Sequence, residues 1–110
     1  MYSKYKNTKV FINGVKIDSK KEAKRLTELE LLQKAGKIKD LQKQVKYELQ
    51  PKYKLNKKTI REISYIADFV YYDIDKKDYV IEDVKGYRTD LYKLKKKMFM
   101  YKYQKEITEV

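Results

Sequence analysis

Two strand-like runs in this chain carry charge where apolar side chains prevail. One reads Tyr65-Ile66-Ala67-Asp68-Phe69-Val70-Tyr71 and the other Tyr79-Val80-Ile81-Glu82-Asp83-Val84-Lys85-Gly86. A carboxylate among such neighbours is costly to bury unless it is paired or coordinates a cation. Strand alternation puts Asp83 and Lys85 on one face with Ile81, and sends Glu82 to the other. If the two runs pair as a hairpin, Asp68 approaches Asp83, and two carboxylates then stand near one ammonium. Phosphodiester cleavage asks for this set. Carboxylates hold Mg2+, for which Mn2+ can substitute; the metal acidifies a bound water and offsets charge developing on the phosphate. A lysine beside it orients or deprotonates the attacking water, or steadies the transition state. A one-residue slip would exchange Asp83 for Glu82, but only Asp83 stands two residues from Lys85, and the role of Glu82 stays open. The competing reading of the trio is a structural salt-bridge cluster.

The composition narrows the chemistry. His and Cys are both absent among the 110 residues. This excludes imidazole bases, thiol nucleophiles, disulfides and Cys/His zinc sites. What remains is carboxylate, lysine and tyrosine chemistry, or a hard cation held by oxygen. The net charge is +12, from 28 Lys+Arg against 16 Asp+Glu. An excess of this size favours a polyanionic partner, because neutralising phosphates releases counterions. The 12 tyrosines add rings that can stack on bases, although an AT-rich genome would also produce a Lys- and Tyr-rich chain.

The elements that must position these residues follow from pattern. Asn13-Gly14 between Val10-Phe11-Ile12 and Val15-Lys16-Ile17 signals a hairpin turn. Ser19 and Glu22 have capping-box spacing ahead of a helix that runs to about Ala35, with Ala23, Leu26, Leu29 and Leu32 at helical intervals and Gly36 as its stop. A strand is expected from Lys43 to Leu49, ended by Pro51. A longer one is expected from Thr59 to Tyr72, apolar on both faces, and a third from Tyr79 to Lys85. Residues 89–103 form a second helix with Leu91, Leu94, Met98 and Tyr101 as its apolar stripe, and Glu106 to Val110 a last strand. The order is αβββαβ, one domain over 1–110 with 1–18 as an N-terminal hairpin extension and 19–110 as the core. No run is long enough to span a membrane. No apolar stretch follows the basic start, so no secretory leader and a cytoplasmic location are expected.

Asp68 followed by Asp83-Val84-Lys85 resembles the signature of the PD-(D/E)XK nuclease superfamily, with Ala67 where the namesake motif has Pro. The chain is also similar to a family of small phage and prophage proteins predicted to be nucleases. That similarity rests on Asn13-Gly14, Asp18-Ser19-Lys20-Lys21-Glu22, Tyr65-Ile66-Ala67-Asp68-Phe69 and Glu82-Asp83-Val84-Lys85-Gly86. The resemblance implies a restriction-endonuclease-like α+β fold, a mixed sheet flanked by helices. It further implies Mg2+-dependent DNA cleavage, with Asp68 and Asp83 on the metal and Lys85 on the water. Many superfamily members carry a Glu on the first core helix. This makes Glu22, which the helical wheel turns inward, a third metal ligand as well as a capping residue. Gln44 is a lesser candidate for orienting water or substrate.

Arg88, Lys93, Lys95, Lys96 and Lys97 are expected to line a DNA cleft, with Tyr87 at its rim, and Lys4, Lys6 and Lys9 to add an arm. At minimum those lysines are a solvated face. Homodimers are common in the superfamily, since a duplex needs two cuts. The reading is a DNA endonuclease of structure- or junction-selective type. The alternatives are a non-catalytic nucleic-acid-binding protein on the same fold, or a small module that blocks a host protein.

Overall fold

The computed structural model describes residues 10–12, 15–17, 19–84 and 88–110. The core is a four-stranded mixed sheet with one helix on each face. Helix α1 spans Ser19–Lys34, β3 Ile38–Gln50, β6 Ile63–Asp73, β7 Asp78–Asp83, α2 Asp90–Tyr103 and β8 Ile107–Glu109. The sheet order is β3-β6-β7-β8. The first two pairings are antiparallel, and β8 lies parallel to β7 after the α2 crossover. This is the αβββαβ order and the restriction-endonuclease-like topology expected from the sequence. Two short hairpins stand outside that sheet: β1 Val10–Ile12 with β2 Val15–Ile17, and β4 Tyr53–Leu55 with β5 Lys58–Ile60. The turn at Asn13-Gly14 lies outside the described residues.

Each face of the sheet has its own core. On one, α1 delivers Leu29 onto Ile38, Phe69, Tyr71, Val80 and Val84. On the other, α2 delivers Tyr92 and Phe99 onto Leu49, Tyr65, Ala67, Val70, Ile81 and Ile107. Phe99 is fully buried, and its ring lies 4.9 Å from Tyr47, 5.0 Å from Tyr103 and 5.5 Å from Tyr65. Much of the tyrosine content is therefore spent on packing, where offset and edge-on rings add to the burial term.

The caps are legible. Thr89 accepts from the Tyr92 amide at 3.0 Å to start α2. Gly36 takes φ +80° after α1. There the Gly36 and Lys37 amides reach back to Gln33 and Leu32 at 3.0 and 2.9 Å, a left-handed helix stop that favours glycine.

Four expectations need correcting. The α2 stripe is not Leu91, Leu94, Met98 and Tyr101: Leu91, Leu94 and Tyr101 are 60%, 54% and 83% exposed, and the buried pair is Tyr92 and Phe99. Both stripes have helical spacing, and docking chose the aromatic one. On α1, Ala23 and Leu32 are exposed, and the inward face is Glu22, Arg25, Leu26 and Leu29. Strand β3 starts at Ile38 rather than Lys43, because left-handed residues at Asp40 and Gln44 (φ 57° and 53°) interrupt its alternation. The strand expected from Thr59 to Tyr72 is two elements. Asn56 and Lys57, at φ 50° and 64°, close the β4–β5 hairpin first, and β6 begins at Ile63. The φ pair is that of a primed hairpin turn, but Asn-Lys lacks the glycine that signals one.

Buried Glu82 ties α1 to the sheet. It faces α1 at 1% exposure and accepts from Arg25 through Nε at 2.9 Å and Nη2 at 2.6 Å. Tyr71 donates to the same carboxylate. The hydrogen bond to Glu82 drives the Arg25 pKa further up. Replacing Arg25 by Ala leaves a buried carboxylate without its cation, and urea unfolding should show a loss of about 3–5 kcal/mol. The double change Arg25→Met with Glu82→Leu should recover most of that loss; a double variant as unstable as R25A would show that packing, not charge, is lost.

Candidate active site

Strand β6 pairs with β7 from Asp73↔Asp78 to Phe69↔Glu82. Below Phe69 it stays with β3 alone, through Val45↔Ala67 and on to Gln50↔Ile63. Asp68 is thus the first residue beyond the β6–β7 ladder, at the fork where the two strands part. Its Oδ2 accepts from the Val84 amide at 2.7 Å, just past the end of β7. The carboxylate takes the place of the ladder carbonyl that the parting removes, so both sides of the fork are hydrogen-bonded.

Across from Asp68, the β3 register running from Lys43↔Phe69 to Val45↔Ala67 places Gln44. Its left-handed backbone is unusual for a non-glycine residue and costs on the order of 1 kcal/mol or more. The Gln44 Nε2 donates to Glu22 Oε2 at 3.0 Å and lies 3.4 Å from Asp68 Oδ1. An amide facing two carboxylates must present its NH2 group. Glu22, in the first turn of α1, and Asp68, in β6, therefore converge on one donor supplied by β3. Glu22 is half-buried, as the helical wheel required.

Asp83 lies on the opposite face from Glu82, fully buried, and accepts from the Tyr65 hydroxyl. The alternation that separates these two neighbouring acids gives them different partners. Glu82 belongs to the structural α1 contact, and Asp83 to the layer between the sheet and α2. Burial, followed by the charge of Asp83, pushes the Tyr65 pKa far above the ordinary phenol value. Burial and Glu82 raise Tyr71, and burial and Glu109 raise Tyr92. At neutral pH these hydroxyls are fixed donors and none is a proton acceptor. Lys85, Gly86 and Tyr87 lie outside the described residues.

Donor chemistry at Glu22 and Asp68 suits a hard divalent cation, because two carboxylate oxygens meet where an amide NH2 now supplies the positive end of a dipole. The expected three-acid set does not form as a group. Among the described residues, no three His, Cys, Asp or Glu side chains are placed to hold one metal ion. Glu22 and Asp68 come together through Gln44, and Asp83 is held by Tyr65.

The basic residues of α2 are partly committed. Glu109 of β8 accepts from Arg88 Nε at 2.9 Å, Lys96 Nζ at 3.0 Å and the Tyr92 hydroxyl at 2.8 Å. Lys93 and Lys97 are exposed and Lys95 is half-buried. Lys102 reaches the Glu48 carbonyl at 2.9 Å. Sequence reasoning missed Arg25, Tyr65, Tyr92 and Glu109. Arg25 had one signal, an arginine one helical turn after Glu22 in an otherwise lysine-rich helix. The tyrosines carried no signal beyond rings that can stack on bases.

The fold and the acid pair at the fork define a class: a nuclease-like α+β scaffold. Residues 2–109 match the family described as a protein of unknown function (DUF1064), and the chain belongs to that family. Among curated proteins and among solved structures, nothing matches the chain.

Glu109 offers a clean titration. The Tyr92 hydrogen bond, followed by that from Lys96, holds its pKa below the ordinary Glu value. Its stabilising contribution is therefore complete above the unfolded-state pKa and lost as pH falls through the depressed folded value. Glu109→Gln should cost roughly 1 kcal/mol at pH 7. Urea melts of both proteins should converge as pH falls through the depressed folded value of Glu109; a gap that stays constant with pH would show that charge is not the cause.

Proposed function

We propose that this protein acts on nucleic acid through its nuclease-like scaffold, as a metal-dependent DNA endonuclease selective for DNA structure such as a junction. The observation that carries the reading is the Gln44 amide held between Glu22 and Asp68 at the β6–β7 fork. A parted pair of strands opens a sheet edge to a ligand, and the acids at that edge come from a helix and a strand joined by nothing else in sequence.

In this reading Glu22 and Asp68 would hold Mg2+ or Mn2+, and the ion would supply Lewis-acid charge at the scissile phosphate and acidify water. Asp68 keeps its orientation through the Val84 amide. Gln44 swings its amide from the two carboxylates to water or a phosphate oxygen. Asp83, held by Tyr65 on the α2 side, would have to turn from that hydroxyl to join the two acids, and Lys85 would be the ammonium that orients water or steadies the phosphoryl oxygens. The exposed Lys93 and Lys97 contact backbone phosphates, which positions a duplex without reading its sequence.

A second reading has its own observation and demands less of the site: nucleic-acid binding without cleavage. No three acids among the described residues form a metal-ligating group. In addition, Asp83 is engaged by Tyr65 and Gln44 spans the other two acids.

One set of assays separates the two. Supercoiled plasmid and branched DNA are incubated with protein and Mg2+ or Mn2+, and Mn2+-dependent thermal shifts are measured alongside. Cleavage that falls at least about 100-fold in Asp68→Asn and Glu22→Gln, and vanishes with EDTA, supports the nuclease. A Mn2+-induced rise in Tm that Asp68→Asn removes supports the metal site independently of activity. DNA binding with neither cutting nor a metal shift establishes the second reading. Cutting that survives both EDTA and Asp68→Asn sinks the proposed site.

A further inference from the structure

The β4–β5 hairpin has no role in the core. It is a separate two-stranded sheet, inserted where β3 ends at Gln50 and β6 begins at Ile63. Every residue from Pro51 to Thr59 is exposed, and only Ile60 is half-buried. Tyr53 and Leu55 stand 44% and 58% exposed. An isolated ribbon is marginal in water, because it buries too little to offset its ordering. This one also repels itself: Lys52, Lys54, Lys57, Lys58 and Arg61 fall in the segment Pro51–Arg61, with no acid among them. The nearest acid, Glu62, is paired with Lys46 at the base of the arm. A solvent-facing ribbon that costs stability and concentrates positive charge is complementary to a polyanion.

We infer that the β4–β5 hairpin is a duplex-DNA arm that enters a groove beside the candidate active site. This deepens the proposed function and rests on its nucleic-acid part, not on cleavage. The major groove of B-DNA, about 12 Å wide, admits a two-stranded ribbon, whereas the deep, narrow major groove of A-form RNA does not. Lysines on both strands and at the turn then face phosphates on both walls, and Tyr53 and Leu55 supply apolar contact. Position agrees with the site. From Gln44 to Gln50 the β3 strand advances roughly 20 Å, at about 3.3 Å per residue. The arm therefore leaves the sheet about six base pairs from the fork, at about 3.4 Å per step, within one helical turn of a bound duplex.

The test is equilibrium binding of the full chain to a fluorescent duplex of about 30 base pairs, roughly three helical turns, over a salt series. The arm variant is Lys54→Gln/Lys57→Gln/Lys58→Gln. The control is Lys34→Gln/Lys37→Gln/Lys76→Gln, an equal change in charge on exposed lysines at the opposite end of the β3–β6 pair. The arm variant should weaken duplex binding about 10-fold or more and flatten the log–log salt slope by about 2–3, since each lost phosphate contact removes about 0.9. The control should move the slope by less than one contact. The hairpin is outside the core, so thermal melts of both variants should match the parent. Equal losses in the two variants, or an arm variant that binds as the parent does, overturn the arm and leave the nucleic-acid reading standing. A larger loss on single strands than on duplex also overturns it. A parent that binds no duplex at any salt overturns the nucleic-acid reading itself.

Discussion

Two neighbouring carboxylates, Glu82 and Asp83, are buried on opposite faces of one short strand, at 1% and 0% exposure. Burying an ionisable acid is tolerable only with hydrogen-bonding or cationic partners, and both faces of the molecule are built to provide them. On the α1 face the partners are Arg25 and Tyr71. They fix the rotation of α1 about its axis and thereby bring Glu22, one turn earlier, to the sheet. On the α2 face Tyr65 holds Asp83, and Tyr92 extends the polar layer to Glu109, Lys96 and Arg88. The apolar cores on the two faces supply the bulk of the burial energy, about 25 cal/mol per Å2. The acids decide which helix faces those cores receive.

The candidate site follows from a second constraint, the parting of β6 from β7 at Phe69↔Glu82. Strands that part leave backbone groups without ladder partners. The Asp68 carboxylate answers this by taking the Val84 amide, and Gln44, in a left-handed conformation opposite it, turns its side chain towards Glu22 and Asp68. Strain at a polar cluster that the core does not require is a recurrent mark of functional positions. The same cluster is compatible with a hard cation in donor chemistry and with a closed hydrogen-bond network in geometry.

Charge is distributed unevenly over this frame. Arg88 and Lys96 are neutralised within the fold by Glu109. The β4–β5 hairpin and the outer face of α2 keep their lysines exposed.

The sequence by itself determined the element order, the fold class and the inventory of possible chemistry. Those rest on local periodicity, turn residues and the absence of His and Cys, all of which are properties of short windows. It also placed Asp68 and Asp83 in adjacent strands and turned Glu22 inward. Only the tertiary structure decided what each of these two faces meets, with Glu82 against Arg25 and Tyr71 and Asp83 against Tyr65, because those partners arrive from distant segments. The same holds for the α2 stripe, where Leu91 and Leu94 lost to Tyr92 and Phe99. Both sets share a helical period, and only docking against Tyr47 and Tyr65 chooses between them. Gln44 and the β4–β5 hairpin were obscured for a related reason. Left-handed residues that are not glycine break the alternation by which a strand is recognised. The opening pair of acids kept its strands, and the fold gave each acid a different neighbour: Gln44 for Asp68, Tyr65 for Asp83.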